Sequence, residues 1–153
     1  LNNLPDYNIE ILVNNDTNDV EEILSENISI KYYYKKYIDL SKIYKFLFDK
    51  SNGKFIYFLE DDDYILPNFF NNLNLNYDVN YFEYFQLSQI CFKKEKLISF
   101  PKGNNLSNDL NLFKKLNKDS SFIYVDKPCW VQTVDGGDNI SFNNLNIDNR
   151  FKY

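Results

Sequence analysis

Apolar and polar residues fall along this chain in blocks that switch between the period of a strand and the period of a helix. Ile9–Val13 (IEILV) is a β-branched run that ends in Asn14-Asn15-Asp16-Thr17-Asn18-Asp19. It predicts a buried strand followed by a loop, with Val20–Ser25 as a short helix. Ile28–Tyr34 (ISIKYYY) predicts a second strand. Between Asp39 and Lys50 the residues Leu40, Ile43, Tyr44 and Leu47 fall at i, i+3, i+4 and i+7, the spacing of an amphipathic helix. Ser51-Asn52-Gly53 stops that helix, with Gly53 suited to the left-handed position beyond a helix end. Phe55–Leu59 (FIYFL) is apolar on both alternating faces, as a central strand covered on both sides would be. It runs straight into Glu60-Asp61-Asp62-Asp63, and Pro67 opens a further helical stretch to about Leu75.

Strand-like material resumes over Tyr81–Phe92, and Phe100-Pro101-Lys102-Gly103 reads as a loop. Leu106, Leu110, Phe113 and Leu116 have helical spacing, with Ser107 a candidate N-cap. Phe122–Val125 and Trp130–Val134 predict two more strands, Asp135-Gly136-Gly137-Asp138 a turn, and the last dozen residues are polar. No internal repeat or linker interrupts the chain. The early alternation of strand and helix implies the α/β class: a mostly parallel sheet with crossover helices, in a single domain over residues 1–153.

Composition narrows the chemistry. A chain of 153 residues, 44% hydrophobic and 18% aromatic with 13 Tyr and 14 Phe, is too apolar to stay disordered and suits one domain. Histidine is absent. That excludes Ser-His-Asp and Cys-His nucleophiles, paired-histidine zinc sites and imidazole acid catalysis, leaving carboxylates, amides, hydroxyls, Lys or a metal. Cys91 and Cys129 are far apart in sequence, and two reduced core thiols are expected over one disulfide. A net charge of −5 argues against nucleic acid as a partner. No apolar run reaches the roughly 18 residues of a membrane span and no leader pattern stands at the start, so a cytoplasmic location is expected. The lack of Met, with Leu at position 1, is expected of a processed or partial chain. With 24 Asn beside abundant Lys, Ile, Tyr and Phe, the usage is that of an AT-rich genome, so the sequons at Asn15, Asn27, Asn105 and Asn139 carry no weight.

The acidic tetrad is the chief chemical feature. In open α/β sheets, ligands bind beyond the carboxyl ends of the strands, and Glu60–Asp63 follows such an end. Like charges about 4 Å apart repel by roughly 4 kcal/mol at an effective dielectric of 20. A hard divalent cation, Mn²⁺ or Mg²⁺, removes that cost, and cations held by carboxylates also hold diphosphates. The plainer alternative is a solvated acidic turn.

Gly53-Lys54-Phe55-Ile56-Tyr57-Phe58-Leu59-Glu60-Asp61-Asp62-Asp63-Tyr64-Ile65-Leu66-Pro67 resembles the "GeyilflDdDDxxxP" segment of family 2 glycosyltransferases. Ile9–Asp19 resembles that family's "eiivvDdgStD" strand and loop, and Leu40 through Gly53 matches its "LSaARNxGixxAxG" helix in length. Phe92-Lys93-Lys94 is similar to its "f.rr" segment, and Asn108-Asp109-Leu110-Asn111-Leu112-Phe113 to its "EDxxLf" segment. The resemblance spans about residues 8–141 and implies a GT-A fold. It implies that Asp62 ligates the metal, that Asp61 or Glu60 contacts the ribose or assists at the metal, and that Asn14 or Asn15 pairs with the nucleotide base. It further implies that Asp109 is the general base, where position alone reads as a first-turn helix carboxylate. Trp130, Tyr64 and Phe100 become candidates for stacking on sugars, with core packing the alternative for each. The implied function is metal-dependent, inverting transfer of a sugar from a UDP- or GDP-sugar to a hydroxyl of a glycan or other acceptor.

This chain departs from the family at several points. The family's opening strand, loop and helix have no counterpart before Ile9. Its base-pairing Asp is Asn14 or Asn15 here. Its Arg-Asn pair becomes Tyr44-Lys45, with Lys42 or Lys45 the replacement cations on offer. Its late His ligand is missing, and Asp138, Asn139 or Ser141 stands nearest, in what otherwise reads as a glycine turn. A catalytically silent nucleotide- or sugar-binding module of the same fold is therefore the alternative, and a calcium-stabilised domain, without an EF-hand loop, the third reading.

Overall fold

A computed structural model describes residues 7–15, 24–25, 27–36, 40–59, 63–66, 68–82, 90–100, 114–126 and 130–132. The first β-branched run forms β1 (Ile9–Asn14) and pairs in parallel with β3 (Ile28–Tyr33), from Ile9 opposite Ile28 to Asn14 opposite Tyr33. Between them in sequence, β2 (Leu24–Ser25) lies antiparallel on the far side of β3. These two residues were expected to end a helix. Instead, Leu24 and Ser25 pair antiparallel with Ser29 and Ile28, because the edge of β3 offers their backbone a strand partner. The rest of that expected helix lies outside the described residues.

Helix α1 (Leu40–Lys50) forms where the periodicity places it. Tyr44 packs edge-on to Phe58, with ring centroids 5.3 Å apart, and Phe48 stacks with Phe92 at 6.5 Å. Toward the first sheet, Phe46 meets Tyr33 edge-on at 5.2 Å. The end of α1 is closed by side chains rather than by a left-handed glycine. Ser51 Oγ donates to the carbonyl of Phe48 at 2.7 Å, and Lys94 Nζ donates to the carbonyl of Ser51 at 2.5 Å. Gly53 does not adopt a positive φ. Its lack of a side chain matters through close approach, since a Cβ there would stand 3.1 Å from the carbonyl oxygen of Phe55.

The second sheet has the order β4 (Phe55–Tyr57), β7 (Ile90–Lys93), β6 (Val79–Tyr81) and β8 (Phe122–Tyr124). Strand β7 runs antiparallel to both of its neighbours, while β6 and β8 are parallel. A two-stranded ribbon, β5 (Asp63–Ile65) against β9 (Trp130–Gln132), is also antiparallel. The chain is thus mixed α/β, with antiparallel pairing predominant among the described strands rather than the mostly parallel sheet expected. An apolar run signals cover, and Ile56 and Phe58 are buried here while Leu59 is exposed, but the run does not encode strand direction.

On one face, Ile56, Phe58, Val79, Ile90 and Phe92 form a core with Leu97 and Leu116 beneath Tyr44 and Phe48 of α1. On the other, Phe82 and Val125 pack with Phe69 of the four-residue helix α2 (Phe69–Asn72), shorter than the stretch expected to Leu75. The strand-like stretch over Tyr81–Phe92 contributes to two strands, β6 and β7. Leu116, last of the late helical spacing, forms an isolated bridge with Leu97. Of the two thiols expected to be reduced and in the core, Cys91 is free and buried, and burial pushes its thiol up to about 12, while Cys129 lies outside the described residues. Among the described residues, no helix is long and apolar enough to cross a membrane.

One polar cluster ties the second sheet together. The Asp78 carboxylate accepts from Lys93 Nζ at 2.7 Å, from the N–H of Ser121 at 3.0 Å and from Lys96 Nζ at 3.3 Å. Those bonds, Lys93 foremost, hold the carboxyl well below the usual carboxylate range despite its burial. Because the folded pKa lies below the unfolded value of about 3.9, this contribution is complete above that value and fades as pH falls through the folded one. Asp78→Asn should lower stability at pH 7 by about 2–3 kcal/mol. It should also flatten the loss of stability below about pH 4, as read from urea midpoints across pH.

Candidate functional site

Strand directions locate a common edge. Early and late positions of α1 meet late and early positions of β4: Tyr44 packs on Phe58, while Phe48 packs on Phe92, the partner of Ile56. Helix α1 therefore runs opposite to β4. It also runs opposite to β1 and β3. Glu10, near the start of β1, accepts from the N–H of Asn52 at 2.7 Å and from its amide Nδ2 at 3.0 Å, whereas Tyr33 at the end of β3 meets Phe46. The carboxyl ends of β1, β3 and β4 thus share one side of the molecule with those of β6 and β8. The amino end of α1, where the helix dipole presents partial positive charge, lies there too.

The acidic stretch leaves β4 at this edge through Phe58 and Leu59. Glu60, Asp61 and Asp62 lie outside the described residues, as do Asp109, Asp138, Asn139 and Ser141. Asp63 is placed by its backbone at the start of β5, opposite Gln132, so the stretch feeds directly into the ribbon that also carries Tyr64 and Trp130. Among the described residues, no three Cys, Asp or Glu side chains gather as a metal centre.

The two candidate base-pairing residues stand at the end of β1. Asn14 is committed to the backbone: its Nδ2 donates to the carbonyl of Lys35 at 3.1 Å, and its Oδ1 accepts from the N–H of Lys35 at 3.2 Å. The side-chain amide thereby extends the pairing of β1 with β3 beyond its last residue. Asn15 donates its backbone N–H to the carbonyl of Tyr33 at 2.8 Å, continuing the same edge. Lys45, the proposed replacement cation, is paired with Asp49 four residues on at 2.5 Å, on the outer face of α1. Lys42 is also exposed on that helix. Phe100 packs on Phe48 and Phe58 at 5.6 and 6.2 Å, which assigns it to the core.

Sequence reasoning passed over Glu10. Burial alone would push its carboxyl up, but the Asn52 N–H, Lys31 at 2.8 Å and the Asn52 amide outweigh that and lower it. A lone acid inside an apolar strand was the available signal. Glu10 clamps β1 to the junction of α1 and β4 and so fixes which strand ends share the edge. Compared with known protein families and with curated proteins, the chain matches none.

The Asn14 bonds are testable because a carboxylate cannot donate. Asn14→Asp should lose the bond to the Lys35 carbonyl and face that carbonyl with negative charge. In this exposed position the expected loss is about 1 kcal/mol, visible in the urea midpoint, with Asn14→Ala no worse.

Proposed function

We propose that this chain is a metal-dependent, inverting glycosyltransferase that moves a sugar from a UDP- or GDP-sugar to a hydroxyl of a glycan or other acceptor. What supports the reading is that the carboxyl end of β4, which the acidic stretch follows in sequence, shares one strand-end edge with the Asn14-Asn15 end of β1 and the amino end of α1. The Asp61 and Asp62 carboxylates, with Asp138 as a further oxygen donor, suit a hard cation such as Mn²⁺ or Mg²⁺. When bound there, that cation supplies positive charge opposite a departing diphosphate. Glu60 or Asp61 contacts the ribose, and Asn15 or Asn14 meets the base. Asp109 takes the proton from the acceptor hydroxyl as its oxygen bonds to the anomeric carbon from the face opposite the leaving diphosphate. The bond to the diphosphate breaks in the same step, inverting configuration. A cytoplasmic location, where nucleotide sugars are made available, completes the reading.

One observation favours the second reading, a silent nucleotide- or sugar-binding module. The Asn14 amide is spent on Lys35, and the Lys45 ammonium on Asp49. The two readings separate by experiment. UDP or GDP should raise the melting temperature only with Mn²⁺ or Mg²⁺, and Asp62→Asn should abolish that rise. Asp109→Asn should keep the nucleotide-dependent rise while turnover falls by about 10²–10⁴-fold. Nucleotide binding without any turnover by the parent chain would favour the module. Stabilisation by Ca²⁺ alone, indifferent to nucleotide, would overturn both.

A further inference from the structure

The β1–β3 pairing continues for one step past its last strand residues. The N–H of Asn15 donates to the carbonyl of Tyr33 at 2.8 Å, just as that of Ile9, which stands beside Ile28, donates to Asn27 at 2.9 Å. Asn15 therefore stands beside Tyr34. Beyond that point the Asn14 side chain takes over, clasping both the N–H and the carbonyl of Lys35. Tyr34 is thus held between two anchored neighbours, at the carboxyl end of a parallel strand pair, where open α/β sheets take their ligands. Side chains alternate across an extended strand. Tyr33 turns to Phe46 of α1, and Lys35 Nζ lies 5.8 Å from the centroid of that same ring, so Tyr34 faces the other way, on the side it shares with Asn15. Its ring is 51% exposed and meets no other ring among the described residues.

We propose that Tyr34 is the stacking platform for the base of the nucleoside diphosphate, with Asn15 beside it at the edge of the base. The inference rests on the transferase reading and adds to it the residue that grips the base. The order of elements across the molecule favours the base over the acceptor as the group stacked there. Glu10 of β1 reaches Asn52 just ahead of β4, and the far edge of β3 is taken by β2, so β4 lies on the β1 side of the pair. A ligand with its diphosphate toward the end of β4 carries its base, at its other end, toward Tyr34. A tyrosine ring also suits the task energetically. Its side chain has only two torsions to order, and its backbone here is already fixed, so stacking costs little freedom.

The test is isothermal titration calorimetry of the full chain with UDP, GDP and inorganic pyrophosphate, each in the presence of Mn²⁺. Loss of an aromatic ring that stacks on a base weakens binding by roughly 5- to 150-fold. Tyr34→Ala should weaken UDP or GDP, whichever the parent chain binds, by that factor. It should leave pyrophosphate unaffected, because pyrophosphate has no base. Tyr34→Phe keeps the ring and should bind the nucleotide as the parent does. Both variants alter an exposed side chain and should keep the parent's circular dichroism. Undiminished nucleotide binding by Tyr34→Ala would overturn the inference and leave the transferase reading standing. So would equal weakening of nucleotide and pyrophosphate, or a raised KM for the acceptor with nucleotide affinity unchanged. A parent chain that binds neither nucleotide nor pyrophosphate would overturn the transferase reading, and this inference with it.

Discussion

Helix α1 has to satisfy two sheets at once. Tyr44 and Phe48 go to the aromatic layer of the second sheet, where Phe92 is fully buried, while Phe46 turns aside to Tyr33 of the first. An 11-residue helix has little length to do this, so its ends are held by other elements. Lys94 reaches the carbonyl beyond its carboxyl end, and Glu10 grips Asn52 just after it. These contacts set the direction of β1 and β3 relative to β4, and the carboxyl ends of those strands take their shared side from that alignment.

Asparagine amides do backbone work in this protein. Asn14 extends the β1–β3 pairing through Lys35, and the fully buried Asn80 treats Asn74 in the same way, accepting its N–H at 2.7 Å and donating to its carbonyl at 3.2 Å. A side-chain amide has the donor and acceptor of a peptide group, so it can stand in for one more residue of strand where the chain turns away. A composition rich in Asn is thereby absorbed into structure at places where an acid would not fit.

Much of the fold is legible in the sequence. IEILV, ISIKYYY and the first three residues of FIYFL yield strands, and the helical stripe from Leu40 yields α1. Strand β1, expected to be buried, is only half-buried, with Ile11 39% exposed. Strand direction is less legible. FIYFL reads as doubly covered, yet only Ile56 and Phe58 are buried while Leu59 is 45% exposed, its neighbour runs antiparallel and β4 is at the end of its four-stranded order. The close of α1 by Lys94 depends on a partner 43 residues away from Ser51, which no local glycine rule anticipates. At the candidate site, the placement of the acidic stretch beyond a strand end is readable from order alone. The pairing of Lys45 with Asp49 was written in their spacing of four, whereas the use of Asn14 by Lys35 appears only once β1 and β3 lie side by side.

The Glu10 clamp also carries a chemical clock. Asn52 precedes Gly53, and an unhindered glycine nitrogen after an asparagine is the arrangement that most readily closes on the side-chain carbonyl, expels ammonia and hydrolyses to an aspartate or isoaspartate. Such ageing at this step would set a new carboxylate against that of Glu10, where an amide now donates to it. The joint between the two sheets would then repel instead of hold, and the strand ends would lose their shared alignment without any genetic change.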